Sequence, residues 1–265
     1  MTQQATNIRA VALPAEHGGW ALIIEPVALG LLVAPSVAGL FIGAGAVAVF
    51  LARHPLRLAV ADRRKHRILN RTSLADRFAL LYVTLATVFF TLAVARPPRE
   101  FLFPFIIAGP LLFIQFLYDI KGHGRKLIPE VVGALAAGSI STAIALAGGW
   151  SKSTAFALWI IIACRHVPTI LYLRVLLSRR RQKRRPTTNR SVIAVQLLPL
   201  IAVYLLLFFK IAPAITIVVF AILFVRAVIG LFNQANPTPK QLGLSEIAFG
   251  TFAVLMVAAG YQFGW

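Results

Sequence analysis

A chain of 265 residues that is 59% hydrophobic and only 13% charged, with a mean hydropathy of +0.81, is not an ordinary soluble domain. Its formal net charge of +19 would suggest nucleic acid, but the cations gather in alternate loops between long apolar runs, a topology pattern that excludes that reading. The lone Cys164 can close no internal disulfide and reads as a packing residue.

In chain order, apolar runs at 18–34, 37–60, 78–95, 101–118, 129–148, 154–177, 191–209, 212–232 and 243–262 predict nine membrane-crossing helices, with residues 1–265 forming a single transmembrane domain. The first run holds Glu25 and Pro26 and lacks both a basic start and a small-residue cleavage site, so it is a retained helix rather than a secretory signal. Gly39 with Gly43, and Gly133 with Ala137, have the spacing that lets membrane helices pack closely. Pro26, Pro110, Pro168 and Pro213 are breaks that neighbouring helices can satisfy. Of the 27 Lys and Arg residues, eighteen fall on one set of alternate loops and four on the other, with five inside the runs. The positive-inside rule then places the N-terminus in the cytoplasm and Trp265 outside. The basic loops also attract anionic lipid headgroups.

Two Arg-His pairs sit inside apolar runs, Arg53-His54 in the second and Arg165-His166 in the sixth, and each is followed by a dense basic run, Arg63-Arg64-Lys65 and Arg179-Arg180-Arg181. Ionisable groups at membrane depth are costly and therefore suggest use. Their matching placement suggests one anion-binding cavity built by two halves of the chain, with Arg57 and Arg174 as further guanidinium donors for phosphate oxygens. His54 or His166 suits acid-base work, since imidazole titrates near neutrality. Asp62 is either a catalytic carboxylate or an ion-pair partner of neighbouring arginines at the membrane surface. Glu16 and His17 either line the site or start the first helix, where a carboxylate favours the N-terminal dipole. Between the fourth and fifth runs, Tyr118, Lys121, His123 and Arg125 with Gly122 and Gly124 form a loop suited to phosphate, or an ordinary turn with snorkelling cations. No zinc-ligand spacing, Walker loop or dinucleotide fingerprint is present in the sequence. With Arg53 and Arg165 facing a ligand, Leu at either position should leave folding intact and weaken anion binding by about 1 kcal/mol or more.

On Leu117, Tyr118, Lys121, Arg125, Pro129, Gly133 and Gly138, with Trp159 and the basic loops after the second and sixth helices, the chain resembles the UbiA superfamily of intramembrane prenyltransferases. The opening block Glu16-His17-Gly18-Gly19-Trp20 resembles more closely the start of the YwiC-like bacterial membrane proteins. The resemblance implies an all-α, nine-helix bundle in the bacterial cytoplasmic membrane, with a cavity open to the cytoplasm for an isoprenoid or other lipid bearing a phosphate or diphosphate head. Where UbiA enzymes hold Mg²⁺ through Asn-xxx-Asp-xxx-Asp, this chain has His54, Leu58 and Asp62; where they carry Asp-xxx-Asp, it has His166, Ile170 and Arg174. Imidazole and guanidinium do not make an oxygen-rich Mg²⁺ site, so no metal ligand is assigned, Mg²⁺ as a cofactor is left open, and the head is expected on Arg53, Arg57, Lys121, Arg125, Arg165 and Arg174. The functional expectation is lipid binding with group transfer as its extension, and the alternative is a non-catalytic lipid-binding or transport-like protein. The oligomeric state is left open.

Overall fold

The computed structural model describes residues 8–14, 17–64, 66, 70–182, 189–233 and 237–264. Among the described residues ten α-helices follow one another: α1 (Ile8–Ala12), α2 (His17–Val33), α3 (Val37–Arg64), α4 (Asn70–Val94), α5 (Leu102–Ile120), α6 (Leu127–Ala147), α7 (Lys152–Gln182), α8 (Asn189–Phe208), α9 (Ile215–Phe232) and α10 (Pro239–Phe263). A 3-10 turn, Arg99–Phe101, leads into α5, and there is no strand among the described residues. This is an all-α integral membrane bundle, in which eight helices, α3 to α10, are long and apolar enough to cross a bilayer. The run expected at 18–34 is α2, apolar but shorter. Eight full-length spans and one short apolar helix therefore stand where nine spans were expected.

Several helices outrun the apolar runs that foretold them. α3 continues past residue 60 to Arg64, and α4 starts at Asn70, ahead of residue 78. Loss of apolarity marks the membrane boundary, not the end of a helix. Arg63 and Arg64 in the last turn of α3 lie where cations favour the dipole.

α6 is the most enclosed of the long helices and packs against α2, α3, α5 and α7. Its small residues allow this: Ala134, Ala136, Gly138, Ser139, Ser141, Ala143, Ala145 and Ala147 are all buried. The hydroxyls stay paired, with Ser139 donating to Ala136 O, Ser141 to Gly138 O and Thr142 to Ala155 O on α7. α2 closes on the same helix, and α3 on α2, through glycines. A Cβ added at Gly30 would lie 2.8 Å from Ile144, and one at Gly43 would lie 2.9 Å from Val27. Gly43→Ala is therefore expected to lower stability by about 1–3 kcal/mol through overpacking. In a Val27→Ala background most of that loss should vanish, as read by thermal unfolding in detergent. Equal losses in both backgrounds would show that the α2–α3 contact is not what constrains Gly43.

The basic-loop ends of the helices gather together. Arg64 of α3 donates to Ile120 O at the end of α5 over 2.5 Å, and Arg174 of α7 donates to Arg125 O before α6 over 2.6 Å. Reporter fusions in the loops 61–77, 119–128 and 178–190 are accordingly expected to mark one side of the membrane, and fusions near Arg99 and Lys152 the other. Opposite sides for 61–77 and 178–190 would break this arrangement.

Candidate functional site

Two separate polar groups hold the residues of interest, with α6 between them. The first surrounds the turn joining α5 to α6. Gly122 adopts φ +72°, which a side chain disfavours. Gly124 leaves room for the Asp119 carboxylate, which would collide with any Cβ there. Arg53 grips that carboxylate bidentately, Nε to Oδ2 at 2.6 Å and Nη2 to Oδ1 at 2.9 Å. From the other flank, Arg174 donates through Nε to Glu130 Oε2 at 3.0 Å. At 3.6 residues per turn, Arg53, Arg57 and Arg64 fall within roughly 40° of one another on α3. Arg53 and Arg64 both reach the end of α5, so Arg57 lies in the same row facing the turn. It is half-buried. Lys121, His123 and Arg125 are exposed on the turn, with Tyr118 half-buried at its start.

The second group is buried within the spans. His166 Nε2 and Glu25 Oε2 are 3.0 Å apart. Arg165 Nη2 lies 3.5 Å from Glu25 Oε1 and 3.2 Å from Glu246 Oε2, and it also donates to Glu246 O. Arg226 pairs with the same Glu246 carboxylate, while its guanidinium lies over Tyr172 and Phe249, 4.9 and 4.5 Å from the ring centroids. Glu25, Arg165, His166 and Glu246 are all nine-tenths or more buried. The chain of charges thus runs His166, Glu25, Arg165, Glu246, Arg226 across α2, α7, α10 and α9, which lets each charge be compensated away from water. Gly250 makes the approach possible, because a Cβ there would collide with the Glu25 carboxylate.

The expected single cavity shared by the two Arg-His pairs is therefore two sites. Arg53 and Arg174 reach the two flanks of the α5–α6 turn that carries Lys121 and Arg125, and Arg57 shares the Arg53 face of α3, whereas Arg165 and His166 pair with Glu25 and Glu246 instead. The tolerance expected of Arg165→Leu is corrected as well, because the guanidinium is the shared partner of Glu25 and Glu246 and its loss would leave both carboxylates under-compensated. His54 is at neither site; its Nε2 lies 3.1 Å from Ala10 O, against α1. Asp62 takes the ion-pair alternative. It is buried, held by Arg71 through Nε at 3.0 Å and Nη2 at 2.5 Å, and accepts from Thr72 Oγ1 at 2.9 Å. Glu16 lies outside the described residues, and of His17 only its place as the first residue of α2 is described.

Nothing in the local sequence pattern singles out Glu246, Arg226 or Glu130 as site residues, and Glu25 stands out only by its place in the first helix. One signal was in the sequence: arginines in apolar runs need counter-ions, and Glu25, Glu130 and Glu246 are the acidic residues inside those runs. Asp62, the one carboxylate left where UbiA enzymes carry their first Asp-rich motif, and Asp119 are each engaged by an arginine. A guanidinium-occupied donor set does not fit Mg²⁺.

Residues 13–146, about half of the chain, match the family model described as YwiC-like protein. No curated protein and no solved structure matches. The matched region carries Glu25, Arg53, Arg57, Asp62, Asp119 and the α5–α6 turn.

Proposed function

The chain belongs to the YwiC-like family, and from that premise we propose that it holds an anionic lipid head, a phosphate or diphosphate, at the basic-loop end of its membrane bundle. The observation that carries this reading is the row on α3 beside the α5–α6 turn. Arg53 and Arg64 are committed to Asp119 and to Ile120 O and fix the frame. Arg57 stands between them with no carboxylate bound to it among the described residues, and exposed Lys121 follows on the turn. Two cations on adjoining segments of an apolar bundle suit a phosphate whose lipid tail stays in the bilayer. By the positive-inside rule this end faces the cytoplasm, in a bacterial cytoplasmic membrane.

The reading stops at binding. Transfer of an isoprenoid would need a leaving-group activator, and the carboxylates suited to a metal are taken by arginines while His54 and His166 lie away from the turn. Of the two functions expected from the sequence, the geometry favours the non-catalytic one.

Binding of geranylgeranyl monophosphate to the full chain in detergent, followed by native mass spectrometry against the matching alcohol, tests this. Arg57→Leu should weaken the phosphate form by about tenfold, consistent with about 1.5 kcal/mol for a charge-assisted bond, and Lys121→Leu should act in the same direction. Lys152→Leu, near the opposite end, should leave binding unchanged. Equal binding of phosphate and alcohol, or no effect of Arg57→Leu, would overturn the reading.

A further inference from the structure

The apolar run that becomes α5 holds one amide, Gln115, and a polar group at membrane depth needs a partner. Gln115 and Asp119 stand one turn apart on the same face of α5, and both meet Arg53 of α3. Asp119 takes one edge of the guanidinium, through Nε and Nη2. With the amide turned so that its oxygen faces the cation, as the charge requires, Gln115 Oε1 accepts from Nη1 at 3.1 Å and from Nη2 at 3.3 Å. Gly133 of α6 leaves the notch in which this amide sits, since a Cβ there would collide with it.

A guanidinium held on two edges cannot rock in its socket. α3 and α5 pack only lightly on one another, so this grip, together with Arg64 on Ile120 O, sets how the two helices stand. Arg57 follows Arg53 by one turn of α3, and Lys121 follows Asp119 closely at the start of the turn. The grip on Arg53 therefore fixes the spacing between those two cations. The residue type matters as well. A second carboxylate at position 115 would hold Arg53 as firmly, but it would add a negative charge beside Arg57 and Lys121. A neutral amide holds the guanidinium and leaves their charge undiminished.

We propose that Gln115 is a positioning residue of the lipid-head site: it holds the Arg53 guanidinium from the edge that Asp119 leaves free, and so sets the reach of Arg57 and Lys121 to one phosphate. This rests on the lipid reading given above. Gln115 acts through Arg53 and not on the head itself.

The test removes the same contact in two ways, in the full chain in detergent, with geranylgeranyl monophosphate and the matching alcohol as probes. Gln115→Met keeps the length and loses the acceptor. Gly133→Ala keeps Gln115 but puts a methyl where its amide sits. The end of that flexible side chain can swing away, and alanine suits a helix better than glycine, so folding should be unharmed. Each variant should weaken phosphate binding by about fivefold, the worth of about one hydrogen bond. The unfolding midpoint should stay within about 3 °C of the wild type. In an Arg57→Leu background each should change binding by less than about twofold, because a spacing matters only with both cations present. A wild-type chain that binds phosphate and alcohol equally overturns the lipid reading and this proposal with it. A wild type that prefers phosphate, with both variants binding equally well, overturns this proposal alone. So does a loss undiminished in the Arg57→Leu background, or one accompanied in both variants by a lowered midpoint, which would make Gln115 a structural residue.

Discussion

Glu246→Leu is expected to destabilise the bundle by about 3–5 kcal/mol, the loss typical of removing one partner of a buried ion pair. Glu246 is the carboxylate that both Arg165 and Arg226 use. Its removal leaves Arg226 with only the faces of Tyr172 and Phe249, and leaves Arg165 leaning on Glu25. The change should appear as a lowered unfolding midpoint in detergent and a smaller monodisperse yield. The double variant Glu246→Leu/Arg226→Leu removes an ion pair as a unit and should recover most of the loss, because two apolar side chains suit this environment better than a stranded cation. A double variant no better than the single would show that the pair is not coupled as the geometry indicates.

Asp62→Ala is expected to reduce stability by about 3 kcal/mol, since several hydrogen bonds to a buried carboxylate are lost at once. Those bonds tie the end of α3 to Arg71 and Thr72 at the start of α4. Lipid binding should stay within about threefold of the wild type, a difference of less than about 1 kcal/mol, because Asp62 lies away from the turn that Arg53 and Arg174 frame. A large loss of binding with unchanged stability would return Asp62 to the ligand site. The two measurements together separate the roles that its sequence position left open.

The all-helical class and most of the spans were legible because an apolar run of bilayer length can satisfy its backbone in lipid only as a helix. The chemistry was less legible, for a physical reason. The arginines announced themselves by being inside apolar runs, but their partners lie far off in the chain: His166 meets Glu25 across 141 residues, and Arg53 meets Asp119 across 66. No helical periodicity encodes such a pairing. The repetition of Arg-His suggested a shared cavity, whereas α6, with its run of small buried residues, occupies the space between the two helices that carry it. The α5–α6 turn fared better. Gly122 and Gly124 marked it in the sequence as a turn, and the structure adds that Arg53 and Arg174 reach it from α3 and α7.

The most direct measurement is binding of geranylgeranyl monophosphate to the wild-type chain by native mass spectrometry, with Mg²⁺ and then with chelator in excess. An anion held by Arg57 and Lys121 needs no metal, so the bound fraction should be the same in both. Binding that disappears with chelator and returns with Mg²⁺ would contradict the account, because the carboxylates assigned here to arginine partners would then be holding the metal.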